Sequence, residues 1–157
     1  MKTLFGLPAH PFLVHFAVVL IPLVAALLIS VSLVPKLRAK LSNAMLVASI
    51  ATAIYIPIVM NSGEGLEEIL GEEGNEILEK HATLGDSSYW IGIFLVLASA
   101  LVWWTSKLES KGVKTSKALT ALVMTFSVLI GVASTVQVAR IGHTGATAVW
   151  HDAGEEE

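Results

Sequence analysis

The sequence predicts an all-α integral membrane protein: a four-helix bundle with a short amphipathic helical loop between its second and third spans. Three observations carry this. Of 157 residues, 54% are hydrophobic and 15% charged, whereas soluble domains usually carry about a quarter charged residues. The apolar residues are gathered into four long runs, and the charges between the runs divide by sign. The length fits a single domain, residues 1–157. A net charge of −3 gives no basic field, so nucleic acid is not an expected partner. With no cysteine, disulfides, thiolate metal sites, iron–sulfur clusters and thioether-bound haem are excluded.

The first run, Pro11 to Val34, contains no formal charge and one histidine, and is followed by Pro35 and the basic stretch Lys36-Leu37-Arg38-Ala39-Lys40. Its length and its Pro-Lys-Leu-Arg ending suit a retained helix rather than a cleaved leader. The second run is Asn43 to Met60, the third Ser88 to Thr105, and the fourth Ala118 to Ala139. A span needs about 20 residues, and in lipid its backbone polar groups must be satisfied internally, so each run reads as a helix. Pro22 and Pro57 are expected kinks. Gln137 is expected to bond across helices, and Gly131 with Thr135 to form a small-residue packing surface.

Between the second and third runs, Leu66, Ile69, Leu70, Ile77 and Leu78 follow helical spacing among carboxylates, and Glu76 and Lys80 form an i,i+4 pair. One or two short amphipathic helices are expected there, interrupted near Gly71 and Gly74.

Seven of the ten basic residues (Lys36, Arg38, Lys40, Lys107, Lys111, Lys114 and Lys117) fall in the two loops on one face of this topology. Twelve of the thirteen acidic residues fall on the other, with Glu109 the exception. Cytoplasmic loops carry the lysine and arginine excess. The expected location is therefore a bacterial inner membrane, with both termini extracytoplasmic. Trp90 and Trp150 would mark the outer interface, and Trp103 and Trp104 the inner one.

All five histidines, His10, His15, His81, His143 and His151, belong to the acidic face. His10 is read as preceding the first helix, with Pro11 at the first helical position. His15 lies within the apolar run, where an ionisable residue is a functional hypothesis by default. A neutral imidazole suits zinc, copper and iron. The expectation is a non-covalent haem b near the outer face, bound by His15, His81 and His143, with Arg140 one turn before His143 to pair with a propionate. The alternative is a zinc, copper or non-haem iron site drawn from His10, His15, Glu64, His81, His143 and His151. A third reading is a structural subunit of a larger complex whose histidines do no chemistry. A histidine at a helix end near the headgroups needs no ligand, and the run Glu67-Glu68 with Glu72-Glu73 reads as a solvated face. No nucleophile motif, phosphate loop or His-Glu-x-x-His is present, so no catalytic residue is assigned. An electron-transfer or accessory subunit is expected rather than a stand-alone enzyme, touching the lipid bilayer and a redox or membrane-complex protein; self-association is open.

Four pieces carry a resemblance: Gly6-Leu7-Pro8-Ala9-His10-Pro11-Phe12-Leu13-Val14-His15-Phe16, Asn61-Ser62-Gly63-Glu64, Glu79-Lys80-His81, and Gly142-His143-Thr144-Gly145 with His151. Together they resemble the bacterial membrane family known as domain of unknown function 2231, over nearly the whole chain. The resemblance implies four membrane helices with shared polar positions at His10, His15, Glu64, His81, His143 and His151. It also implies the company of Rieske-type or cytochrome-type domains, and hence redox chemistry. The chain departs from the pattern at Ala146 and Asp152, where relatives tend to carry glycine.

Overall fold

The computed structural model describes residues 3–70 and 76–150. It opens with a two-stranded hairpin, β1 (Thr3–Leu4) and β2 (Leu7–Pro8), paired antiparallel with Leu4 opposite Leu7. Phe5 and Gly6 both have positive φ, 52° and 81°. That is the signature of a type I′ turn, in which Gly6 relieves half of the cost and Phe5 bears the other half. Five helices follow: α1 (Ala9–Leu33), α2 (Pro35–Leu70), α3 (Glu76–Asp86), α4 (Ser88–Ser110) and α5 (Lys117–Trp150). Four of them are long and apolar enough to cross a membrane.

Each expected span exists, but the helices outrun the apolar windows. The basic stretch 36–40 forms the first turns of α2, and the segment after Met60 continues α2 to Leu70. Helical hydrogen bonds do not require apolar side chains, so a helix continues where hydropathy ends. Neither Pro22 nor Pro57 ends its helix. The amphipathic loop resolves into the end of α2 and the separate α3; the expected interruption near Gly71 and Gly74 lies outside the described residues.

The joints are short. Only Val34 separates α1 from α2; it is extended (φ −104°, ψ 108°), as the residue before a proline should be, and Pro35 then takes the first helical position. Between α4 and α5, Gly112 at φ 77° closes the end of α4, with Val113 N–H bonding to the Leu108 carbonyl at 3.1 Å. Ser116 caps α5 by accepting from Leu119 N–H at 3.1 Å.

In the bundle α1 packs on α2 and α5, α4 packs on the same two helices, and α3 lies against α5. Leu28, Val31, Met45, Leu95 and Val102 form the fully buried centre. The α2–α4 seam is joined by hydroxyls: Ser49 with Ser99 at 2.6 Å, and Ser42 with Ser106 at 3.2 Å. Lipid offers no hydrophobic drive between helices, so small residues and such bonds hold the seam. At the basic end Trp103 donates to Asn43 (2.7 Å), and Arg38, almost fully buried, pairs with Glu109 at 3.6 Å. On α5, Gly131 does form a packing surface, because a Cβ there would sit 2.8 Å from Ile29 and 3.1 Å from the Ala25 carbonyl. Its companions are the buried Ser127 and Ser134, not Thr135, which is exposed and bonds back to the Gly131 carbonyl. Around the outside, Val19, Leu23, Val47, Ile54, Leu122 and Leu129 are well exposed, presenting an apolar surface suited to acyl chains.

Candidate functional site

Two histidines meet at the end of the bundle opposite Arg38 and Glu109. His10 is the second residue of α1, so it lies inside the helix and not before it; α1 begins two residues earlier than Pro11 suggests. His81 is on α3. Their rings stand edge to face at 73°, with centroids 6.3 Å apart.

Both rings are held by the same device. Ser62 donates its hydroxyl proton to the Val59 carbonyl at 2.6 Å. His10 Nδ1 lies 3.0 Å from that hydroxyl oxygen and 3.3 Å from the same carbonyl. On α5, Thr144 donates to the Ile141 carbonyl at 2.9 Å, and His81 Nδ1 lies 3.2 Å from its oxygen and 3.1 Å from that carbonyl. In each case the hydroxyl has committed its proton and the carbonyl can only accept. Nδ1 must therefore be the donor, and in the neutral ring the lone pair sits on Nε2. This is the tautomer of a metal-ligating histidine whose other nitrogen is fixed by a backbone carbonyl.

A glycine follows each hydroxyl residue. A Cβ at Gly63 would lie 3.1 Å from His10 Cε1, and one at Gly145 would lie 2.9 Å from His81 Cε1. A side chain at Gly145 would force the His81 ring to move, and one at Gly63 would crowd the His10 ring by a few tenths of an ångström. Carbonyl, hydroxyl and glycine occupy positions i, i+3 and i+4, which share one helix face.

The remaining expected residues are placed otherwise. His15 is exposed, and its Nδ1 bonds to the Pro11 carbonyl of its own helix. His143 is exposed; it sits between Ile141 and Thr144, off the face that holds His81. Among the described residues no hydrogen bond or ring contact joins either to His10 or His81. Glu64 is exposed. Arg140 is exposed and donates to Gln137 Oε1 at 3.2 Å, while Gln137 Nε2 donates across the bundle to Ser87 at 2.7 Å, the interhelical role expected of it. His151 lies outside the described residues. Among the described residues no group of three or more histidine, aspartate or glutamate side chains is placed to hold a metal ion.

Sequence reasoning missed the pairing of His10 with His81 and the part played by Ser62, Gly63, Thr144 and Gly145. The signal was a Ser/Thr-Gly step recurring three residues after a β-branched aliphatic residue, Val59 or Ile141, at the end of the second and fourth long helices. No curated protein and no solved structure matches the chain. Residues 6–156 match the family described as a predicted membrane protein, DUF2231, and with four helices of spanning length the chain belongs to that membrane-protein family.

Proposed function

We propose that the protein is a membrane-bound, b-type cytochrome-like electron-transfer subunit whose iron is held by Nε2 of His10 and His81. The single observation behind this is the pair itself: two imidazoles from separate helices, adjacent, each with Nδ1 tied to a carbonyl and a hydroxyl. The number of histidines that meet supports haem over a bare ion. A zinc site asks for three or four protein ligands, and only two histidines converge among the described residues. Two histidine ligands would suffice for a haem iron, because the haem itself supplies the iron's other nitrogen ligands.

A bound haem would supply one-electron chemistry. The chain's own residues do the rest. Val59, Ser62, Ile141 and Thr144 orient the rings and make their Nε2 atoms better donors. Gly63 and Gly145 keep the rings against the helices. Arg140 is the cation at this end of α5 available for a propionate. His15 and His143 take no part in this pair. The excess of lysine and arginine at the opposite end favours an orientation with the histidines extracytoplasmic in a bacterial inner membrane, where a soluble or complex-bound redox partner could reach them.

The test is the visible spectrum of the purified full chain, as isolated and after dithionite, with elemental analysis. The expected result is a Soret band with sharpened reduced bands, lost in both His10→Ala and His81→Ala and kept in His15→Ala. Stoichiometric zinc or copper without haem would move the reading to a non-haem histidine–carboxylate site. Neither haem nor metal would end both.

A further inference from the structure

A second site lies beside the first, between α4 and α5. The two helices leave a cleft of about 360 Å³ walled by Trp90, Phe94 and Ile130, with Ser87, Gln137 and Ser134 supplying its polar groups. Trp90 and Phe94 are exposed, with ring centroids 6.2 Å apart, so the mouth opens on the bundle surface that faces acyl chains. An occupant therefore enters from the bilayer.

Ser134 is 3% exposed and lines the cleft; its hydroxyl makes no hydrogen bond to a described residue, and its oxygen is not one of the buried unpaired atoms, which are Arg38 Nε and Ser127 Oγ, so it opens onto the cleft. Elsewhere Ser30, Thr52 and Thr135 return their hydroxyls to the carbonyl four residues back; Ser134 does not. A hydroxyl that faces apolar surroundings without a partner is a donor left for an occupant of the cleft. Gln137 uses one amide hydrogen on Ser87 and accepts from Arg140, so one N–H is left. The free groups are neutral donors one turn apart on α5, and no lysine or arginine lines the cleft. They match a carbonyl oxygen better than a phosphate.

We propose that this cleft binds the head of a lipid-soluble quinone. One quinone oxygen accepts from Ser134 and from the spare Gln137 N–H, the flat ring lies beside Trp90 and Phe94, and the isoprenoid tail leaves through the mouth into the bilayer. The volume lies within the range of small-molecule sites, about 300–1,000 Å³. Gln137 precedes Ile141, the carbonyl that anchors His81, by four residues, or about 6 Å along the helix, so the quinone head and the histidine pair share one stretch of α5. The binding itself does not require a metal on the histidines.

The experiment titrates the full chain in lipid nanodiscs with a short-tailed benzoquinone and follows tryptophan fluorescence. Saturable quenching is expected, with most of its amplitude lost in Trp90→Phe. Ser134→Ala removes only an unpartnered hydroxyl, so the fold should keep its thermal stability while affinity falls about tenfold, the scale of one buried hydrogen bond. His10→Ala should bind the quinone as the parent does, which separates a failure here from a failure of the haem reading. The proposal is overturned by unsaturable quenching, by unchanged affinity in Ser134→Ala, or by equal displacement with an alcohol of the same tail or an anionic phospholipid; the last outcome would make the cleft a lipid seat.

Discussion

The first half of the molecule, α1 with α2, and the second, α3 and α4 with α5, build the same imidazole clamp on different scaffolds. In the first half the histidine stands on the spanning helix itself, and the hairpin turns at a single residue, Val34. In the second it stands on the separate helix α3, and six residues, 111–116, join α4 to α5. The clamp is nonetheless repeated contact for contact: carbonyl, hydroxyl three residues on, glycine next. What recurs is the geometry imposed on the ring, not the element that carries it. The seams differ as well. Between α1 and α2, Tyr55 donates to the Leu13 carbonyl at 2.9 Å and packs edge to face on Phe16, filling the space. Between α4 and α5 the corresponding space is the cleft. A closed half and an open half share one end of the bundle.

The strongest way to break the symmetry is to fill the glycine positions. A valine at Gly145 or Gly63 would overlap the imidazole it supports, and overfilling a packed site costs about 1–3 kcal/mol. Gly145→Val should lose bound cofactor almost completely, with Gly63→Val slightly milder because its Cβ clearance is 3.1 Å against 2.9 Å. Cofactor content per protein measures this, and full loading of both variants would disconnect the clamps from binding.

Emptying the closed seam comes next. Tyr55→Ala removes a half-buried ring and its hydrogen bond, and should cost about 2 kcal/mol in mixed-micelle unfolding. It should also open a second quinone-accessible space; quenching that stays at one site would show that the two seams are not equivalent.

The hydroxyl pair Ser49–Ser99 joins the halves. Either alanine variant alone should cost about 1 kcal/mol, and the double variant little more than one single, since no orphaned hydroxyl is left. Additive losses would mean that the two oxygens do not depend on each other.

The smallest effect distinguishes the two clamps. Ser62→Ala and Thr144→Ala should each raise the midpoint potential, or lower metal affinity, only modestly, because the imidazole becomes a slightly poorer donor while the carbonyl still holds Nδ1. Ser62→Thr and Thr144→Ser should restore the parent value. A change confined to one half would mean that only one ring is a ligand.

Much of this was legible in the sequence. Four apolar runs and the division of charge are local or compositional properties, and they carried over to four helices with the described histidines toward one end. Helix ends did not, because hydropathy stops at Met60 and Ala139 while the backbone goes on to Leu70 and Trp150. The histidine pair was beyond local periodicity. His10 and Ser62 are 52 residues apart and His81 and Thr144 are 63 apart, so their meeting depends on how α3 folds back against α5. His15, the histidine most suspicious by its apolar neighbours, satisfies its Nδ1 on its own helix.

The two clamp hydroxyls stand equally far along their helices. Ser62 is 27 residues from Pro35, where α2 begins, and Thr144 is 27 residues from Lys117, where α5 begins. At 1.5 Å per residue both lie roughly 40 Å from the basic end, beyond a hydrocarbon layer about 30 Å thick. The bundle is thus a ruler graduated in residues rather than in lipid. A thicker or thinner membrane would tilt or sink all four spans together and leave those distances unchanged. A single deletion below either hydroxyl would drop it about 1.5 Å and swing it about 100° around its helix. Such a molecule should tolerate a wide range of acyl-chain lengths, and almost no change in the residue count between a helix start and its clamp.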